Sequence, residues 1–167
     1  MNEWEDVMDR IGKILKHDLF IKNLARNEES ERNREFCRHH MVHFLDVARI
    51  ARIINAEEGF GLETELIYAT ALLHDIGKHL QYTHGIPHER ASAEIAPEIL
   101  WDCGFDKKET GVIVEAILSH RDEKIKEQRN LKGLLYRADK LSRACFACKK
   151  QDECNWKDGK KNLNISY

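Results

Sequence analysis

Residues 64–78 read TELIYATALLHDIGK, and this stretch decides the fold. Leu66, Ile67, Ala69, Ala71, Leu72 and Leu73 crowd the segment with apolar side chains, so the pattern predicts a helix over residues 64–74 buried on most of its faces. That helix ends in His74 and Asp75, just before Gly77. An imidazole and a carboxylate at the end of a core helix must be hydrated, paired or ligated. Nitrogen and oxygen donors together suit one or two divalent transition ions (Fe, Mn, Zn, Ni or Co), with Mg also within reach. The plainer alternative is a capped helix end with a satisfied histidine.

The rest of the chain reads as all-α. Strand-like alternation is nearly absent, and only two prolines and nine glycines punctuate 167 residues. Helices are expected over residues 4–16, 35–57, 89–100, 107–120 and 131–143. Phe44, Val47, Ala48, Ala51 and Ile54 give the second of these its buried face, and Gly59 and Gly61 stop it. Val112, Ile113, Ala116 and Ile117 are expected inward in the helix before His120. Residues 27–35 are highly charged and read as a solvated helix start or loop. Gly77 to Pro87 reads as a loop, and Pro97 should kink or end its helix early.

The length fits one domain, residues 1–167, with its own core. A net charge of -2 gives no reason to expect general binding to nucleic acid. No apolar run approaches a membrane span, and the start, MNEWEDVMDR, carries no export signal, so a cytoplasmic protein is expected. The apolar stripe of the first helix is read as core, and an oligomer through it stays open.

One helix cannot chelate an ion alone, and the sequence offers partners. His43 lies on the helix that carries Val47 and Ala48. Asp139 follows Leu134, Leu135 and Ala138, where a carboxylate is costly unless it meets a cation. His39 and His40 compete with His43 for the same role.

The three pieces HFLDVARIA (43–51), ALLHDIGK (71–78) and LYRADKLSR (135–143), in that order, resemble the HD-domain superfamily of metal-dependent phosphohydrolases. The resemblance covers residues 36–143 and leaves a cysteine-containing tail, 144–167. It implies a helical bundle whose metal ligands are His43, His74, Asp75 and Asp139, and it favours His43 over its neighbours. HD proteins with two ions carry extra histidines between the His-Asp pair and the last Asp. His88 in HERASAEIA and His120 in VEAILSH match, with His84 a weaker rival to His88. The pattern then implies that Asp75 bridges two ions about 3.5–4 Å apart, and that water activated between them attacks phosphorus. If those histidines do not bind metal, they would orient ligands or face substrate around a single ion. His17 and His79 are expected to be unremarkable.

Lys78 stands four residues after His74 and could hold a substrate phosphate; Arg143, four after Asp139, could do the same, and Arg121 is a weaker choice. Without such a role Lys78 is a solvated lysine. The implied substrate is a small phosphorylated molecule, a nucleotide or dinucleotide. No GYP sequence accompanies His120, which disfavours cyclic di-GMP, and no glycine-rich phosphate loop is present. Two rivals remain: an oxygenase using a dinuclear iron centre, and a module that senses nucleotides without turning them over.

Five cysteines with no export signal argue against a disulfide framework. Cys145, Cys148 and Cys154 fall within CFACKKQDEC, close enough to share a structural zinc. Cys37 is the first choice for a fourth ligand and Cys103 the second. Free, buried thiols acting as small hydrophobes are the even alternative.

Overall fold

The computed structural model describes residues 8–167, which form helices and turns with no strand. The helices are α1 (Asp9–Lys16), α2 (Asp18–Ser30), α3 (Met41–Glu57), α4 (Thr64–Leu73), α5 (Lys78–His84), α6 (His88–Asp102), α7 (Lys107–Ser119) and α8 (Leu131–Leu141). The all-α expectation holds. So does the place of α4: it packs against α1, α3, α6, α7 and α8, and Ile67, Ala69, Ala71, Leu72 and Leu73 are buried. The predicted inner face of α3 is buried throughout, from Phe44 to Ile54.

Local chemistry sets the helix ends that matter for the site. A reciprocal capping box starts α7: Asp106 accepts from the Glu109 N–H, and Glu109 accepts from the Asp106 N–H, each at 2.8 Å. Asn130 caps α8 by accepting from Gly133 N–H at 3.2 Å. Gly85 ends α5 with φ of 68°, in the left-handed region that favours glycine.

Several boundaries differ from the sequence expectation. The first helix is described only from Asp9, and Trp4 lies outside the described residues. Residues 27–35 are not a solvated start: α2 runs to Ser30, and Asn27 and Glu31 are buried. The next helix begins at Met41 rather than at 35, because His40 is its cap and accepts from Val42 N–H at 3.2 Å. The span from Gly77 to Pro87 contains α5, too short for a periodic signal. Pro97 does not end α6, which continues to Asp102. Buried Ala91 and Ala96 before the proline and Ile99 and Leu100 after it keep the helix on its neighbours, so packing outweighs the lost hydrogen bond. Val112 is 39% exposed, one position off the buried stripe of Ile113, Ala116 and Ile117. No described helix is long and apolar enough to cross a membrane.

Candidate metal centre

Helix ends aim the candidate donors. His74 follows the last residue of α4 and His120 the last residue of α7. Each folds its ring back onto a carbonyl three residues earlier, His74 Nδ1 to Ala71 O at 2.7 Å and His120 Nδ1 to Ile117 O at 2.6 Å. A helix C-terminus leaves such carbonyls without intrahelical partners. With Nδ1–H donated there, a ring in its neutral form carries its lone pair on Nε2, pointing inward. His88 opens α6, and its Nδ1 meets Gln81 Oε1 at 2.6 Å, which sets the same tautomer. His43 comes from the first turn of α3 and Asp139 from the far end of α8.

Two groups of donors result, and Asp75 belongs to both: His43, His74, Asp75 and Asp139 in one, Asp75, His88 and His120 in the other. Asp75 Oδ2 stands 3.2 Å from His74 Nε2 and 3.6 Å from His43 Nε2. Asp139 Oδ1 lies 3.4 Å from His43 Nε2 and 3.7 Å from His74 Nε2. The other oxygen of Asp75, Oδ1, is 3.2 Å from His88 Nε2 and 3.6 Å from His120 Nε2. The two carboxylate oxygens therefore face different histidine sets.

These donors suit a divalent cation for a specific reason. His43 Nε2, His74 Nε2, Asp75 Oδ1 and Asp139 Oδ1 are buried without hydrogen-bond partners, an arrangement that is costly unless a cation satisfies them. The charges agree. Burial pulls His74 down, yet the neighbouring carboxylates of Asp75 and Asp139 push it up to about 10. Burial opposes ionisation of both carboxyls, but the histidines around them hold Asp75 and Asp139 well below the usual carboxylate range. His88 goes the other way: burial, with Lys78, His120 and Arg121 nearby, outweighs Asp75 and draws it down to about 3, leaving a neutral ring with a nitrogen free to donate to a cation. Without metal, a proton shared among these groups occupies the place of positive charge.

Around them lie groups the sequence reading undervalued. His39 is buried; its Nδ1 meets Glu31 Oε1 at 2.6 Å and its Nε2 stands 3.7 Å from Asp75 Oδ2. Asn27 donates to the Asp75 carbonyl at 2.9 Å and accepts from His79 N–H at 2.8 Å. His79, expected to be unremarkable, is buried against Asn23 Oδ1 at 2.7 Å. His17 caps α2 and reaches Asp102 at 3.1 Å. His84 is turned to Thr83 at 2.7 Å and has no place in either donor group. Gly77 lets α5 and α6 close behind the centre: a Cβ there would sit 2.7 Å from backbone atoms of Ala91 and Ser92.

Lys78, Arg121 and Arg143 line a cavity of about 210 Å³ with Asp75, His88 and His120. Lys78 is buried, its Nζ 3.2 Å from His88 Nδ1. Arg143 reaches Asp139 Oδ1 at 3.9 Å and carries the Trp156 ring at 4.2 Å. Arg121 is more exposed and lies 3.5 Å from Glu89. Lys140, which sequence reasoning passed over, binds Asp139 Oδ2 at 2.6 Å. A larger neighbouring cavity of about 600 Å³ shares Arg121, Lys140 and Trp156 with this one and adds Tyr136. Cys37, Cys145, Cys148 and Cys154 line another cavity, which His43 and Arg143 also line, while Cys103 is buried in the main core. Among the described residues, no three sulfurs stand within 4.8 Å of one another.

A model of the HD domain matches residues 41–144. A Clostridium beijerinckii protein, described only as uncharacterized, is 52% identical over 160 residues, 96% of this chain and 100% of its own length. Ribonuclease Y of Enterococcus faecalis is 32% identical over 102 residues, 61% of this chain but 18% of that enzyme. The crystal structure of a predicted HD superfamily hydrolase from an uncultured Thermotogales bacterium has a TM-score of 0.61 at 23% identity, covering 86% of this chain and 81% of that one. At that identity the likeness is one of fold.

Proposed function

The chain belongs to the HD-domain family, and from that premise we propose that it is a metal-dependent phosphohydrolase acting on a phosphoester or phosphoanhydride of a nucleotide or dinucleotide. The observation that carries the reading is Asp75: buried, with Oδ2 toward His43 and His74 and Oδ1 toward His88 and His120. The proposed ligands are His43, His74 and Asp139 on one side of it, and His88 and His120 on the other.

Divalent ions held there would act as Lewis acids and lower the pKa of a bound water toward neutrality. The chain supplies the rest. Carbonyl-anchored histidines keep their lone pairs fixed, so little reorganisation accompanies the reaction. Lys78 would hold a phosphoryl oxygen from beside His88, and Arg143 from beside Asp139, each by a charge-assisted bond. Arg121 and Lys140 stand where this cavity meets the larger one, whose volume falls in the range of small-molecule sites. Tyr136 and Trp156 line that larger space and suit a planar base. The likeness to ribonuclease Y supports a phosphodiester among the candidate bonds.

The test joins metal content to turnover. Wild-type protein purified without chelator should carry transition metal and release product from nucleotide or dinucleotide substrates, and Asp75→Ala should lose both together. Full metal content and rate in Asp75→Ala would overturn the reading.

A further inference from the structure

We propose a second, structural metal site in which Cys37, Cys145, Cys148 and Cys154 bind one soft divalent cation, zinc, and pin the C-terminal segment across the catalytic cavity. The four cysteines come from two segments far apart in sequence and line one cavity of about 330 Å³. Burial as small hydrophobes does not account for them: Cys37 is exposed, and Cys148 and Cys154 are only half-buried.

The segment after Arg143 is built the wrong way round for an apolar anchor. Between 144 and 167 only Cys145 is buried, while Phe146, Leu163 and Ile165 face outward at 46%, 45% and 79% exposure. It contains two short 3-10 turns and no α-helix. A stretch that turns these hydrophobes out and buries a single residue needs another source of order, and metal binding is a strong one.

Two further observations point to a ligand rather than to free thiols. Cys145 and Cys148 sit on one tight turn, closed by Cys148 N–H to Cys145 O at 3.1 Å. The Lys150 N–H is then aimed at Cys148 Sγ at 3.4 Å, where it would spread the charge of a thiolate. The cavity's lining is also charged, with three cations, Arg38, Arg143 and Lys161, against two carboxylates, Glu35 and Asp46. The Lys161 side chain is 8% exposed, and Arg143 Nε is buried without a partner. Four thiolates around one divalent ion carry net negative charge, which those cations would offset. Binding would draw the sulfurs inward as four thiols release their protons to solvent.

The site would act on the reaction through Trp156, two residues beyond Cys154. Trp156 lines the catalytic cavity and stacks on Arg143. The cysteine cation would thus be a positioning element, set apart from the His/Asp ions by ligand type.

The experiment uses the full chain. Zinc content, cobalt-substituted absorption spectra and zinc release on titration with a mercurial thiol reagent are measured for wild type, Asp75→Ala, Cys148→Ser and Cys103→Ser. About one zinc per chain, with a thiolate-to-cobalt charge-transfer band, should survive Asp75→Ala and Cys103→Ser and vanish in Cys148→Ser. If Cys148→Ser fails to fold, the wild-type titration decides, because zinc should leave in step with four thiols. The proposal is overturned if all five thiols react freely without releasing zinc. It is equally overturned if cobalt shows no thiolate band, or if the unreduced protein has lost hydrogens to disulfides. Retention of the cysteine zinc in an inactive protein would separate failure of the phosphohydrolase reading from failure of this one.

Discussion

Replacing Glu31 by Gln should cost the metal-free protein about 3 kcal/mol at neutral pH, and the cost should disappear in acid. Glu31 is 2% exposed and accepts from three donors: His39 N–H at 2.5 Å, His39 Nδ1 at 2.6 Å and the Tyr82 hydroxyl at 2.6 Å. Burial works against its charge, but the bonds from His39 and Tyr82 prevail and lower its pKa from 4.5 to about 2. At about 1.4 kcal/mol for each tenfold in proton affinity, that drop makes about 3 kcal/mol. The folded pKa is depressed, so the stabilisation is complete above 4.5 and is lost as pH falls toward 2. By pH 3 it should have shrunk to about 1 kcal/mol. The glutamine keeps the shape but turns an amide nitrogen toward one set of those donors. Urea unfolding of chelator-treated wild type and Glu31→Gln at pH 7 and pH 3 measures the gap. The same gap at both values, or none at pH 7, would refute the assignment of this stability to the carboxylate.

Other consequences follow from the same geometry. Gly77→Ala should push the start of α5 away from α6, whose Ala91 and Ser92 backbone atoms lie 2.7 Å from the new Cβ, at a cost of about 1–3 kcal/mol; an unchanged thermal midpoint would contradict the close approach. Lys78→Ala should retain the metal while kcat/KM falls roughly 10- to 100-fold, the worth of one charge-assisted bond to phosphate. Loss of metal in that variant would show that Lys78 supports His88 instead. Metal uptake by the chelator-treated protein at pH 7.5 should release at least one proton, because Asp75 and Asp139, against the pull of burial, raise His74 to about 10. Calorimetry in buffers of different ionisation enthalpy reads this directly, and buffer-independent heats would contradict it.

The parts of the centre that were legible in the sequence are those that break a local rule. His74-Asp75 after LIYATALL and Asp139 beside Leu135 and Ala138 are polar groups where apolar ones belong, so periodicity exposes them without knowledge of the fold. His88 and His120 gave weaker signals, because each stands at a helix boundary where polar residues are ordinary. They became visible through the HD pattern. The support of the centre was hidden for the opposite reason: Asn23, Asn27 and Glu31 lie in NLARNEESER, a run whose composition is that of a solvated helix.

His39 shows why such groups escape a reading by periodicity. Spacing placed it one helical turn before His43, which would have put both on one face of one helix. The helix in fact begins at Met41, and His39 arrives from the irregular stretch that precedes the cap. It reaches Asp75 because Glu31, from just beyond the end of α2, holds both its backbone and its ring. Asn27, on the same helix, holds the carbonyl of Asp75 and the backbone of His79. α2 therefore grips Asp75 by its main chain and faces its side chain through one intervening histidine. A residue asked to present its two oxygens in two directions needs its backbone fixed as firmly as its ligands, and α2 meets that demand with polar side chains that only the tertiary structure buries.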